Sequence, residues 1–139
     1  MKIIALIISS FLATSALASN PESYFCQSAI DESVFSFHLD TEKNISEMTL
    51  TSALQTPWGK IPAGVIDGDY EFNIPDHQEI YSFDVTDLLS GTSRASITIY
   101  QSFGAPTPEY LYFSANGDEE PYKSLQKGSL DCTKVLENN

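Results

Sequence analysis

Hydrophobic and polar residues alternate along most of this chain, in short runs separated by turn-forming residues. Phe35, Phe37 and Leu39 share one face of their segment, and Ser36 and His38 share the other. A period of two residues predicts strands with one buried and one solvent-facing side. Together with the two segments that carry the cysteines, the pattern predicts about eight strands, at Tyr24–Ser28, Val34–Leu39, Met48–Leu50, Tyr70–Ile74, Tyr81–Val85, Ala95–Tyr100, Tyr110–Ser114 and Ser129–Val135.

One-sided burial is typical of antiparallel sheets. The residues between the runs agree with this, because Asp67-Gly68-Asp69 and Asn116-Gly117-Asp118 tolerate positive φ and favour tight turns, and Thr41–Asn44 forms a polar connector. The fold class predicted is all-β, an antiparallel β-sandwich of the jelly-roll type with about eight strands. A small closed β-barrel is the alternative.

One corner of the chain has a distinct local pattern. A strand through Phe83 runs into Thr86, which suits a helix N-cap; Asp87 favours the first turn and Gly91 its end. This D-V-T-D-L-L…G segment resembles a corner of galactose-binding-like jelly rolls. The resemblance implies a two-sheet sandwich, and it concerns a corner of the fold rather than a binding site.

The first 18 residues have the form of a signal peptide. Lys2 is followed by the apolar run Ile3–Leu12 and by the small-residue pattern Ala16-Leu17-Ala18. That run is too short for a transmembrane helix, so no membrane anchor is expected. The sequence predicts a cleaved signal peptide at residues 1–18 and one β-sandwich domain at residues 19–139, in the periplasm or outside the cell.

The two cysteines lie near opposite ends of the predicted mature chain, at Cys26 and Cys132. An oxidising compartment favours a disulfide between them. Zinc sites use clustered ligands, so this wide spacing argues against a metal. The pairing requires the first and last strands to end close together.

The chain is strongly acidic, with a net charge of −12, and loss of the leader removes one lysine and no acid, which gives −13. This charge repels nucleic acid and favours solubility or a cationic partner. Ser90-Gly91-Thr92-Ser93-Arg94 is similar to the S-G-x-x-Y loop of small exported bacterial lysozyme inhibitors, which are acidic β proteins. Arg94 stands where that loop has tyrosine. The resemblance implies an acidic periplasmic inhibitor of a basic enzyme such as lysozyme.

Residues suited to catalysis are scarce in this sequence. His38 and His77 are the two histidines, and neither belongs to a nucleophile elbow or an H-E-x-x-H motif. The sequence therefore predicts no enzyme, no cofactor and no metal site, with a small hydrolase based on His77 as the least favoured hypothesis. Whether Asp67 and Asp69 bind Ca²⁺ or are only solvated stays open.

Aromatic residues are the better candidates for binding. Trp58 falls in the loop Gln55–Lys60, and Tyr110 and Tyr112 occupy the strand face opposite Leu111 and Phe113. Exposed rings of this kind stack on sugars or anchor protein interfaces, although a loop tryptophan also suits a plug at the end of a sandwich. The main hypothesis is an exported, non-catalytic binding module that recognises a protein or glycan through its end loops.

Overall fold

The computed structural model describes residues 22–42, 44–117 and 123–136. These residues form eleven strands and one 3₁₀ turn at Thr86–Leu88. The strands are β1 (Glu22–Ile30), β2 (Ser33–Glu42), β3 (Ile45–Leu50), β4 (Leu54–Thr56), β5 (Gly59–Ile61), β6 (Gly64–Asn73), β7 (Gln78–Asp84), β8 (Thr92–Ser102), β9 (Tyr110–Gly117), β10 (Lys123–Ser129) and β11 (Asp131–Val135). The all-β prediction is confirmed, and the predicted signal peptide lies outside the described residues. Within those residues, no helix is long and apolar enough to cross a lipid bilayer.

Nine strands form one antiparallel sheet in the order β10-β9-β8-β7-β6-β3-β2-β1-β11, and β4 pairs with β5 in a small second sheet. Strands that pair are mostly neighbours along the chain, which makes the large sheet a meander. A single residue, Leu130, separates β10 from β11, yet these two strands lie at opposite edges. The sheet must therefore curl until its edges nearly meet, as in a barrel.

Contacts across the two edges show this near closure. The Ser28 hydroxyl of β1 donates to the Ser129 carbonyl of β10 at 3.0 Å. Gly128 of β10 packs so closely on β1 that a Cβ there would lie 2.9 Å from the Ala29 carbonyl oxygen. A residue without a side chain is needed at that contact.

The predicted disulfide is confirmed. Cys26 and Cys132 are direct partners in the β1–β11 register, with their Cα atoms 4.0 Å apart and a sequence separation of 106. The bond joins the first and last described strands, as the spacing required. A disulfide that is fully formed is typical of proteins outside the cytoplasm.

The core follows the predicted alternation. Inward side chains on successive strands are almost fully buried, whereas their sequence neighbours face out. The largest fully buried side chains are Tyr24, Phe35, Phe37, Phe83, Phe113, Leu39, Met48, Leu50, Leu54, Ile61, Ile97 and Ile99. Burial of this apolar surface is the main stabilising term of the barrel.

One predicted turn is wrong. Asp67-Gly68-Asp69 lies inside β6, where Asp67 pairs with Glu47 and Asp69 with Ser82. Gly68 is required there by packing, because a Cβ would lie 2.5 Å from both the Ser82 carbonyl oxygen and the Phe83 ring. The glycine marks a close approach of side chain and backbone, not a change of direction.

The predicted helical turn forms, with a different cap. Thr86 begins the 3₁₀ turn and is not its N-cap. Val85 occupies the N-cap position without a side-chain hydrogen bond, and the preceding Asp84 accepts the Thr86 N–H at 2.9 Å and the Thr86 hydroxyl at 2.6 Å through its Oδ1. Short polar side chains satisfy free N–H groups at such positions.

The two ends of the barrel differ. The β4–β5 hairpin connects β3 to β6 at one end, called here the hairpin end, and buries Leu54 and Ile61 in the core. The opposite end, called here the mouth, is formed where β1 and β7 begin and where β6 and β8 finish. At the mouth, the inward-facing positions of β7 and β8 carry the polar side chains Glu79 and Gln101.

Candidate functional site

The outer face of β8, β9 and β10 carries an open groove of about 520 Å³. Its walls combine hydroxyl, amide and guanidinium groups with two tyrosine rings and one leucine. The lining residues are Arg94, Ser96, Thr98, Tyr100, Tyr112, Ser114, Asn116 and Leu125. We name this surface the β8–β10 groove.

Strand register builds the groove from alternate residues. Tyr100 pairs with Tyr110, Thr98 with Tyr112, Ser96 with Ser114 and Arg94 with Asn116, so outward side chains form a cross-strand ladder. A bulge between Thr92 and Arg94 shifts the alternation. Arg94 lies on the outer face with Ser96, Thr98 and Tyr100 by ordinary alternation, and the bulge turns Thr92, two residues earlier, inward instead of outward.

Three tyrosines cluster at one part of this face. The rings of Tyr100 and Tyr110 are stacked, with centroids 5.1 Å apart, and Tyr112 stands nearly perpendicular to both at 5.5 Å. These are favourable aromatic geometries. Burial, followed by the neighbouring Tyr110 and Tyr112, raises the pKa of Tyr100, so its hydroxyl stays protonated at neutral pH.

Tyr110 supports the cluster rather than lining the groove. Its hydroxyl accepts a hydrogen bond from Gln78 Nε2 at 2.7 Å. The Lys127 ammonium lies 4.6 Å from the Tyr110 ring centroid and 5.6 Å from that of Tyr112. Tyr110 is thus held between Tyr100 and a cation, and Tyr100 and Tyr112 are the rings that a ligand would meet.

Positive charge is concentrated around the groove. The described basic side chains are Lys60, Arg94, Lys127 and Lys134. Two of these four, Arg94 and Lys127, lie at the groove, although the chain as a whole is acidic. Hydrogen bonds from Thr86, with a smaller contribution from Arg94, lower the pKa of Asp84 beside it.

Trp58 lies apart from the tyrosines. It is partly buried in the turn of the β4–β5 hairpin and packs on the core, with its ring centroid 6.4 Å from that of Phe113. Phe113 faces inward, whereas Tyr112, the preceding residue, faces outward. The structure brings Tyr110 and Tyr112 together and separates them from Trp58, whose position matches a plug at the barrel end. Its role in binding stays a prediction.

The other candidate residues of the sequence are scattered. His38 faces Asp40 on β2, with 3.5 Å between Nδ1 and Oδ2, and His77 lies in the β6–β7 turn with φ of 51°. Ser90 and Gly91 form an exposed turn before β8, where a Cβ on Gly91 would lie 3.9 Å from the Trp58 ring. Within the part of the chain that the structure describes, three or more acidic, histidine or cysteine residues do not cluster as metal ligands.

Sequence reasoning missed Tyr100, Arg94 and Asn116 as members of the site. The alternation of β8 predicted that Tyr100 faces outward, and that was sufficient to include Tyr100 among the candidate binding residues. The same alternation extends to Arg94, but its pairing with Asn116 depends on strand register, which a period of two residues does not give.

Comparison of this chain with protein-family models, curated proteins and solved structures finds no match. Its function must therefore be argued from the site itself.

Proposed function

We propose that this protein is an exported, non-catalytic binding module that takes an oligosaccharide in the β8–β10 groove. The observation that carries the proposal is the pairing of two perpendicular rings, Tyr100 and Tyr112, with a row of small polar side chains in one open groove. The proposal moves the contact surface from the end loops to a sheet face.

The chemistry of the groove favours a sugar over a protein. Sugar rings present C–H surfaces to aromatic rings and hydroxyls to hydrogen-bonding groups, and the groove offers both. The core of a protein interface is usually more apolar, whereas Leu125 is the one aliphatic residue in the lining. Arg94 and Lys127 would also attract sugars that carry a carboxylate.

Export is the second part of the proposal. The signal-peptide pattern of residues 1–18 and the Cys26–Cys132 disulfide support a periplasmic or extracellular location. The disulfide also fixes the edge strand β11 to β1, which adds rigidity to the sheet that carries the groove.

A glycan array probed with the oxidised chain, residues 19–139, tests the proposal. The array should include neutral and uronic-acid oligosaccharides, and the best one is then titrated by calorimetry. Tyr112→Ala should weaken binding about tenfold, because one stacked ring contributes about 1–1.5 kcal/mol.

Phe25→Ala is the matched control, since Phe25 is an outward aromatic of β1, 46% exposed, and does not line the groove. It should bind like the parent chain. An array without a ligand, or equal affinities for the two variants, would reject the groove as the binding site.

A further inference from the structure

The mouth of the barrel replaces apolar core residues with hydrogen-bond acceptors. Alternation along β7 and β8 turns Glu79 and Gln101 inward, two residues beyond the buried Tyr81 and Ile99. Glu79 and Gln101 are direct partners in the β7–β8 register. Glu22, at the start of β1, and Tyr70, on β6, complete this polar layer.

Tyrosine hydroxyls hold the two carboxylates in place. Tyr24 donates to Glu22 Oε2, and Tyr70 donates to Glu79 Oε1 at 3.3 Å. Lys134 lies 2.9 Å from Glu22 Oε1, so an ammonium group already occupies one side of this layer.

The side-chain oxygen of Gln101 is a buried acceptor that has no hydrogen-bond donor among the residues that the structure describes. The Gln101 Nε2 donates to the Ala105 carbonyl at 2.9 Å, while Oε1 accepts no hydrogen bond from any of those residues. The residue is only 3% exposed. The Gln101 side chain also hydrogen-bonds to Tyr24. Burial and the bond to Glu22 raise the pKa of Tyr24, and the bond to Gln101 opposes this rise. A buried acceptor of this kind requires a partner.

Glu79 has no counter-ion within ion-pair distance among the residues that the structure describes. The ion pairs among the described residues are His38–Asp40 and Lys134–Glu22, and Glu79 belongs to neither. Burial and the nearby Glu22 raise the pKa of Glu79, and the bond from Tyr70 opposes this rise only in part. An inward carboxylate that is held at this electrostatic disadvantage is a candidate functional group.

Apolar side chains surround these acceptors at the rim. Phe72 of β6 is 39% exposed and Phe103, in the loop after β8, is 72% exposed, with their ring centroids 6.1 Å apart. Ile74 adds a third exposed apolar side chain to the same rim. Phe72 pairs with Glu79, which places the rim next to the carboxylate. Such a rim suits the carbon chain behind a charged nitrogen.

From these observations we infer that the mouth binds an organic cation, an ammonium or guanidinium group, between Glu79 and Gln101. N–H donors satisfy both the carboxylate and the free amide oxygen, and the attached carbon chain packs on Phe72 and Phe103. Ca²⁺ fits less well, because it takes six to eight oxygen ligands and the layer offers two carboxylates, one of them paired with Lys134. This site is separate from the β8–β10 groove.

NMR titration of the oxidised chain, residues 19–139, tests the inference. The probe is n-butylammonium chloride, compared with sodium chloride at equal ionic strength, and the signal is the side-chain amide of Gln101. Saturable shifts with butylammonium alone are expected, and Glu79→Gln should weaken the binding at least tenfold. Glu71→Gln, an exposed carboxylate on the same strand as Phe72, removes the same charge and should leave the affinity unchanged.

A second titration identifies the source of the cation. The probe is the capped tripeptide acetyl-glycyl-lysyl-glycinamide. Tighter binding of the tripeptide than of butylammonium assigns the site to a protein side chain, in line with the hypothesis of a basic enzyme as partner. Equal or weaker binding assigns it to a free amine. If neither probe saturates, or if Glu79→Gln binds like Glu71→Gln, the inference is wrong.

Discussion

Removal of the disulfide should cause the largest single loss of stability in this barrel. The perturbation is the double variant Cys26→Ala/Cys132→Ala. The bond closes a loop of 106 positions. Loop-closure entropy for that length corresponds to about 4.7 kcal/mol at 25 °C, against a typical total of about 5–15 kcal/mol for a domain.

The folded state has little reason to change in this variant. β1 and β11 remain paired by their backbones from Ser23–Val135 to Gln27–Asp131, so the edge strands keep their register without the bond. The effect should therefore arise mainly in the unfolded chain, which gains freedom when the link is absent.

Urea unfolding at 25 °C, followed by far-UV circular dichroism, measures the effect. With a slope of about 1.5 kcal/mol per molar urea, the midpoint should fall by about 3 M, and the slope should rise because the unlinked chain exposes more surface. The parent chain after reduction is the control and should match the double variant. A midpoint shift below about 0.5 M would refute the entropic reasoning.

The remaining predictions concern one packed glycine and the carboxylates of the mouth. Gly68→Ala should destabilise the barrel by about 1–3 kcal/mol, because its Cβ would meet the Ser82 carbonyl oxygen and the Phe83 ring; thermal unfolding beside the exposed Val65→Ala checks this, and equal melting temperatures would contradict it. Glu79→Gln should stabilise the fold at pH 7, since the pKa of Glu79 is raised in the folded state, and the gain should vanish below the ordinary glutamate pKa, where both states are protonated. Glu22→Gln should destabilise the fold at pH 7, because hydrogen bonds from Tyr24 and Lys134 lower the pKa of Glu22 in the folded state. The stability that ionised Glu22 contributes is lost only as the pH falls through that lowered pKa. Urea midpoints at pH 7 and pH 3 measure both, and a Glu79→Gln gain that persists at pH 3 would exclude the electrostatic explanation.

Strands were predictable where buried apolar residues alternate regularly with exposed polar ones. Phe35, Phe37 and Leu39 alternate with polar residues, and their strand forms as expected. β10 was missed because its sequence, KSLQKGS, carries little apolar signal and it forms by pairing with β9. Gly68 was misread as a turn, since sequence alone does not show that the Phe83 ring packs against it.

The candidate sites were less predictable, because they depend on register and closure. Alternation placed Tyr110 and Tyr112 outward, but only the β8–β9 register brings Tyr100 to them. Glu79 and Gln101 lie 22 positions apart and meet through pairing of β7 with β8. No local motif marks either group, so their chemistry appears only once the sheet is assembled.

The most direct test of the proposed binding site is an NMR shift map of the oxidised chain with the oligosaccharide that the array selects. Saturable shifts centred on Tyr100, Tyr112 and Asn116, three of the residues that line the β8–β10 groove, are expected. Shifts confined to the β4–β5 hairpin around Trp58, or shifts that do not saturate, would contradict the proposed site.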